Sequence, residues 1–205
     1  TWPLLPQAAD HVFGQGTPPL NVWAMAWVRH QLPRAPLQLF DANAFYPYAD
    51  SLAFSEHLFV PALLGAPVAL LTGNHVLAHN LVALLSFALA GLGMYLLARE
   101  LLGGDGPGPF AAGLFYAFHT WNQNELIRLQ ILSNQWFPFL LLALLRYFQG
   151  PSWRRAWAVA GFYLLQSLSC MYWALYAPLL LLAALPALQW RQRLPLPRLV
   201  PLATA

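Results

Sequence analysis

The chain has 205 residues, of which 59% are hydrophobic, 15% aromatic and only 8% charged. Because a soluble domain usually carries about 25% charged residues, this composition argues against a soluble domain and indicates an integral membrane protein embedded in a lipid bilayer. The net charge of +3 is the difference between ten basic and seven acidic residues. The ten basic residues are all arginines and lie mainly at the ends of apolar runs, which argues against nucleic-acid binding. The single cysteine excludes an internal disulfide.

The first 75 residues predict a large extracytoplasmic loop with short interfacial helices. They are rich in proline and aromatic residues and lack a clean apolar run of about 20 residues, the length that crosses a bilayer. Residues 21–30 predict a short amphipathic helix at the membrane interface, because two tryptophans lie one helical turn apart. Residues 58–72 are apolar but include two prolines, so we expect an interfacial or re-entrant helix there.

Residues 76–205 predict a transmembrane helical bundle. Its clearest span is 76–98, since a helix of 23 residues crosses the hydrocarbon core with some tilt. The later run 156–188 is too long for one span, so we divide it by a turn near residues 170–172. The further spans are predicted near 110–118, 131–148, 156–170 and 173–189. The predicted fold is therefore all-α and polytopic, with about five crossings.

The arginines indicate how this bundle is oriented. With these crossings, seven arginines fall on one side of the membrane and three on the other. Cytoplasmic loops carry an excess of basic residues, so the side with seven arginines is assigned to the cytoplasm. Residues 39–57, a polar stretch rich in acidic and aromatic side chains, then face outward.

Ordered blocks over most of the chain resemble bacterial membrane proteins of the GT-C glycosyltransferase superfamily, in the mannosyltransferase-like or YfhO-like group. The blocks are LFDANAFYPYADSLAFSEHL, PVALLTGNHVLAHNLVALLSFALAGLGMYLLAREL, AGLFYAF, LQ at 129–130, QWFP at 135–138 and LLQSLSCMYWAL.

This resemblance implies an enzyme that moves a sugar from a polyprenyl-phosphate donor to an extracytoplasmic acceptor, which is a glycan, a lipid or a protein. It implies a bacterial inner (cytoplasmic) membrane location with the site facing outward. It also implies an essential carboxylate in the first outer loop and an upstream span that ends at residues 1–5. We therefore expect the chain to be a fragment of a longer protein.

The segment after the first candidate acid departs from the family pattern. Gln15 and Thr17 stand where the resemblance leads us to expect carboxylates, and Asp10 is the nearest acid. This departure favours an alternative: a non-catalytic or degenerate membrane protein that binds or helps transport lipid-linked glycans. The dense outer stretch 39–57 favours the enzyme. A transporter usually places ionisable groups in mid-membrane, and almost none are found there.

Three carboxylates are candidates for the base that deprotonates the acceptor hydroxyl: Asp10, Asp41 and Glu56. Each also has a structural interpretation. Asp10 could be a solvated loop acid, and Asp41 could bond its own backbone within a turn. Glu56 could instead cap the apolar helix that starts near residue 58.

The candidate substrate-binding residues are His57, His79, Trp121 and Arg128. Arg128 would contact the donor phosphate, although Glu125 is a possible partner three residues earlier. His79 would bind phosphate or a metal, or hydrogen-bond to Asn80 at the interface. Trp121 would stack on the sugar or prenyl chain, or belong to the aromatic belt. The cofactor is either none or a divalent metal at the phosphate.

Overall fold

The computed structural model describes residues 5–192 of the chain. Within that range all regular secondary structure is helical, which confirms the all-α part of the prediction. The α-helices are α1 (Thr17–Gln31), α2 (Phe59–Thr72), α3 (His75–Leu102), α4 (Pro107–Phe118), α5 (Thr120–Asn124), α6 (Leu129–Leu132), α7 (Trp136–Gln149), α8 (Trp153–Ser169) and α9 (Met171–Gln192). Short 3₁₀ helices are Leu5–Gln7, Pro36–Gln38, Ser51–Phe54 and Glu125–Ile127.

Helix α3 has 28 residues, which gives a length of about 42 Å. It begins where the Asn74 side chain accepts a hydrogen bond from the Leu77 N–H at 2.8 Å. It ends before Gly103, whose φ of 82° is the left-handed conformation that closes many helices. Among the residues described, α3 is the one helix long and apolar enough to cross a membrane, by length and composition. It contains the predicted span 76–98.

The other predicted spans correspond to shorter helices. Helix α4 has 12 residues, α7 has 14 and α8 has 17. Fourteen helical residues reach only about 21 Å, less than the hydrocarbon core of about 30 Å. Helix α9 has 22 residues and includes Pro178 and Pro186. Crossings by α4, α7 and α8 therefore do not follow from their lengths, whereas α9, at about 33 Å, is long enough to cross.

The helix break within the long apolar run lies at Cys170, between the last residue of α8 and the first residue of α9. This is the place where the sequence predicts a turn. Residues 1–4, in the predicted end of an upstream span, lie outside the described range, as do residues 193–205.

The chain divides into two compact units. The first consists of residues 5–86, 120–133 and 168–171, and the second of residues 87–119, 134–167 and 172–192.

In the first unit, Gly65 lets α2 approach both α1 and α3. A β-carbon on Gly65 would lie 3.1 Å from the Met25 side chain and 3.3 Å from that of Val82. Ala24 and Val28 of α1 are also buried.

In the second unit, the apolar core is formed by α7, α8 and α9, with buried residues such as Leu140, Tyr147, Val159 and Ala177. Helices α3 and α4 approach closely at a pair of small residues, because a β-carbon on Gly113 would lie only 2.7 Å from a backbone oxygen of α3. Close approach at small residues is typical of helix pairs in membranes.

Candidate functional site

All seven predicted site residues belong to the first unit: Asp10, Asp41, Glu56, His57, His79, Trp121 and Arg128. They lie in three segments of that unit. The first segment is the turn at residues 8–11 with the start of α3, the second is the loop 39–57, and the third is the segment 120–130.

Two asparagines at the start of α3 hold the turn in which the first candidate acid lies. Nδ2 of Asn80 donates hydrogen bonds to the Ala8 and His11 carbonyls at 2.8 and 2.7 Å. Nδ2 of Asn74 donates to the Ala9 carbonyl at 2.8 Å. Three successive contacts therefore fix the backbone of this turn, and we call the two side chains the asparagine clamp.

Asp10 projects from the clamped turn and is exposed. Its N–H is bonded to the Gln7 carbonyl at 3.0 Å, so its backbone is fixed as well. Its carboxylate has no hydrogen bond or ion pair with any residue that the structure describes. A carboxylate held in this way is available to accept a proton from a ligand.

His79 supports the clamp from within the unit and is only 2% exposed. Its Nδ1 lies 3.1 Å from Oδ1 of Asn80, so the predicted hydrogen bond between these two side chains is present. Because Nδ2 of Asn80 donates to backbone carbonyls, its Oδ1 is the acceptor and Nδ1 of His79 carries the proton. Nε2 of His79 then has no hydrogen-bond partner within the described range. His79 therefore supports the clamped turn through its hydrogen bond to Asn80.

The backbone beyond the clamped turn passes close to the third segment. Gly14 has a φ of 87°, and a β-carbon there would lie 2.8 Å from the side chain of Ile127. Nearby, Nδ2 of Asn21 donates to Oε1 of Gln130 at 2.9 Å. The structure therefore brings the residues that follow Asp10 against the segment that carries Arg128.

Arg128 forms an ion pair with Glu125, the structural alternative suggested by their spacing. Nε of Arg128 lies 2.7 Å from Oε2 of Glu125, and Nη2 donates to Oε1 at 3.0 Å. The shorter approach is an ion-pair contact without hydrogen-bond alignment, since Oε2 has no aligned donor among the described groups. Glu125 is buried and the Arg128 side chain is about half exposed. The charge of Arg128 is thus already compensated.

Asp41 joins the two ends of its loop. Its Oδ1 accepts a hydrogen bond from the Asp50 N–H at 2.9 Å. The Ser51 hydroxyl donates to the Ala42 carbonyl at 2.9 Å in the same place. Asp41 therefore has a structural role, but it binds the N–H of Asp50, nine residues further along, rather than the backbone two residues on that the turn interpretation expects. Its side chain stays exposed.

Glu56 caps a helix, but a different helix from the one next to it in sequence. It is only 8% exposed, and its Oε2 accepts a hydrogen bond from the N–H of Met171, the first residue of α9, at 2.7 Å. A carboxylate at a helix N-terminus also interacts favourably with the helix dipole. The expectation that Glu56 caps the following helix is wrong because Leu58, with φ of 49°, turns the chain between them.

His57, rather than Glu56, accepts a hydrogen bond from a backbone N–H at the start of α2. Its Nδ1 accepts a hydrogen bond from the Phe59 N–H at 3.1 Å, so the neutral ring carries its proton on Nε2. The ring packs edge-on against Phe40 with centroids 6.3 Å apart. Burial lowers the pKa of His57 below its ordinary value.

Trp121 lies on α5 with 55% of its surface exposed. Its indole is therefore accessible, as either the stacking role or the aromatic-belt role would require.

The described residues do not fit a metal site. They contain no group of three or more His, Cys, Asp or Glu side chains that could hold an ion. The pair His75 and His79, one turn apart, is divided between other partners: Nδ1 of His75 lies 2.7 Å from Nη2 of Arg29, whereas His79 binds Asn80.

Asn74 holds the turn at residues 8–11 but is not among the predicted site residues. Its signal was available, since an asparagine directly after Gly73 and before an apolar run is typical of a helix N-cap. Its second role, the hydrogen bond to Ala9, joins residues 65 positions apart and has no sequence signal.

Comparison of the chain with protein-family models, with curated proteins and with solved structures gave no match. The likeness to GT-C glycosyltransferases therefore rests on the sequence blocks alone.

Proposed function

We propose that the chain is part of a polytopic membrane glycosyltransferase that moves a sugar from a polyprenyl-phosphate donor to an acceptor outside the cytoplasm. In this proposal α3 crosses a bacterial inner membrane, and the shorter apolar helices supply further crossings by tilting or packing against neighbours. The first unit carries the catalytic groups on the outer side.

The proposal is supported by the hydrogen bonds of the three candidate acids. Asp41 and Glu56 each accept a backbone N–H, so part of their acceptor capacity is used within the fold. The Asp10 carboxylate has no partner among the described residues, yet its backbone is fixed by the asparagine clamp. A general base needs both availability and a fixed position. Asp10 is therefore the proposed base.

The reaction assigned to this site is a single displacement. The acceptor hydroxyl gives its proton to the Asp10 carboxylate, and the acceptor oxygen forms a bond to the anomeric carbon of the donor sugar. The bond between that carbon and the phosphate oxygen breaks, and the electron pair leaves with the polyprenyl phosphate. Arg128, half exposed beside Glu125, is the proposed contact for the departing phosphate.

A second candidate is a non-catalytic protein that binds lipid-linked glycans or helps to transport them. Two observations favour it. Gln15 and Thr17 replace the carboxylates that the family resemblance implies, and the charge of Arg128 is compensated by Glu125. Binding needs neither a base nor a free cation.

Sugar transfer distinguishes the two candidates. Membranes that contain the full-length protein are supplied with radiolabelled polyprenyl-phosphate sugars, and labelled product is measured. Asp10→Asn should lower the rate by about a hundredfold or more, since a positioned base contributes about 10²–10⁴. The matched control is Asp105→Asn, which removes an exposed acid of the second unit that pairs with Arg99.

Unchanged transfer by the Asp10→Asn variant would exclude Asp10 as the base. If the parent protein transfers no sugar from any donor but retains labelled donor on purification, the binding function is the correct one.

A further inference from the structure

On the surface of the first unit, the ring of Phe54 contacts two other aromatic rings of the loop 39–57. The Phe54 ring lies 5.7 Å from that of Phe45 and 6.1 Å from that of Tyr48, measured between centroids. The residues remain 59%, 59% and 67% exposed for Phe54, Phe45 and Tyr48. We call these three rings the aromatic platform. Contiguous exposed apolar groups of this kind usually mark an interaction site.

The backbone presents the platform at an energetic cost. Phe45 has a φ of 58°, a left-handed conformation that is rare and unfavourable for a bulky side chain. The loop keeps this conformation because its ends are joined, with the Leu52 N–H bonded to the Phe40 carbonyl at 2.9 Å. Such strained residues cluster at ligand sites. The exposure of the rings is therefore fixed by the fold.

The charged residues of the loop restrict the kind of ligand that the platform can bind. The loop carries two exposed carboxylates, Asp41 and Asp50, and no arginine or lysine, while Glu56 is buried against Met171. Interfacial membrane anchors combine aromatic residues with basic ones, which are attracted to anionic lipids. The carboxylates here disfavour an anionic surface or a phosphate group.

A neutral carbohydrate fits these groups. The C–H faces of a pyranose can pack on aromatic rings, and its hydroxyls can donate hydrogen bonds to carboxylates. We propose that Phe45, Tyr48 and Phe54, together with Asp41 and Asp50, form a carbohydrate-binding subsite that holds a glycan acceptor. The role of the bound glycan as an acceptor rests on the proposed function, whereas binding of neutral sugar by the platform does not require sugar transfer.

The experiment uses the full-length protein in lipid nanodiscs, titrated with neutral oligosaccharides of mannose, glucose and galactose by calorimetry and saturation-transfer NMR. Tyr48→Ala and Phe54→Ala should each weaken binding by roughly tenfold. Phe45→Gly, which removes the ring but tolerates the positive φ, should do the same. Leu37→Ala is the matched control, because Leu37 is fully exposed in the neighbouring 3₁₀ helix but has no ring contact. It should leave binding unchanged.

The competing occupant is the membrane itself. A Tyr48→Trp variant reports it, since insertion would let brominated lipids quench the indole fluorescence. Quenching by lipid together with no effect of any sugar would overturn the subsite, as would equal sugar binding by the parent and the Tyr48→Ala variant. Sugar binding retained in a protein that performs no transfer would uphold the subsite while the proposed enzyme failed. Transfer without platform-dependent binding would uphold the enzyme alone.

Discussion

The asparagine clamp gives the most detailed prediction, and Asn80→Ala is the change that tests it. Asn80 is 1% exposed and donates to the Ala8 and His11 carbonyls at 2.8 and 2.7 Å. The substitution removes both bonds and leaves the Nδ1–H of His79 without its acceptor. Two hydrogen bonds at about 1 kcal/mol each and one unpaired buried donor at about 1–2 kcal/mol amount to about 3–4 kcal/mol. The turn at residues 8–11 should therefore open locally.

Hydrogen exchange with mass spectrometry measures this opening directly. A loss of about 3 kcal/mol raises the local opening equilibrium on the order of a hundredfold, so amides of residues 8–13 should exchange correspondingly faster. Sugar transfer should fall on the order of a hundredfold through kcat, with little change in KM for the donor, because the base is misplaced rather than removed.

Asn43→Ala is the matched control for the clamp. Its Oδ1 accepts one exposed hydrogen bond, from Nε1 of Trp23 at 3.2 Å. Asn43→Ala should leave amide hydrogen exchange in the turn, and the rate of sugar transfer, close to those of the parent. If Asn80→Ala exchanges in this turn at the parent rate, the clamp does not hold the turn and the argument for Asp10 loses its basis.

Three further changes test other contacts. Glu56→Gln should lower the free energy of unfolding by about 1 kcal/mol, because it removes the charge at the α9 N-terminus but keeps an acceptor for the Met171 N–H. An unchanged denaturation midpoint in detergent would contradict the role of Glu56 as the α9 cap. Burial lowers the pKa of His57, so the unfolded chain binds more protons below about pH 6.5 and stability should fall as the pH drops through that value. His57→Gln should flatten this part of the profile of stability against pH. A variant profile identical to that of the parent would refute His57 as the group that causes the loss of stability. Gly113→Ala should cost about 1–3 kcal/mol because its β-carbon would meet a backbone oxygen at 2.7 Å, whereas Gly161→Ala, with open space around it, should not destabilise the protein.

Local sequence signals predicted the features that depend on neighbouring residues. The apolar run of α3 shows in the sequence because helix length and composition are local properties. The contact between Glu125 and Arg128 follows from their three-residue spacing, and the bond between His79 and Asn80 joins adjacent residues.

Long-range contacts could not be predicted in the same way. Glu56 and Met171 are 115 positions apart, so nothing in either segment indicates that one caps the other. The asparagine clamp likewise joins α3 to a turn about 70 residues earlier.

The start of α7 was also mispredicted by hydrophobicity. The apolar run 131–148 includes the polar residues Ser133 to Gln135, which lie between α6 and α7 and shorten the helix to 14 residues. A hydrophobic run therefore gives the presence of a helix more reliably than its ends.

The most direct test of an outward-facing Asp10 base is chemical modification of an Asp10→Cys variant, followed in the same sample by sugar transfer from a polyprenyl-phosphate donor. Cys170 is fully buried, so among the thiols of residues 1–205 the introduced one should be the reactive one. We predict that a membrane-impermeant maleimide labels it in intact spheroplasts, and that transfer by this variant is on the order of a hundredfold or more below that of the parent. Labelling only in inverted vesicles, or transfer at the parent rate after labelling, would contradict the account.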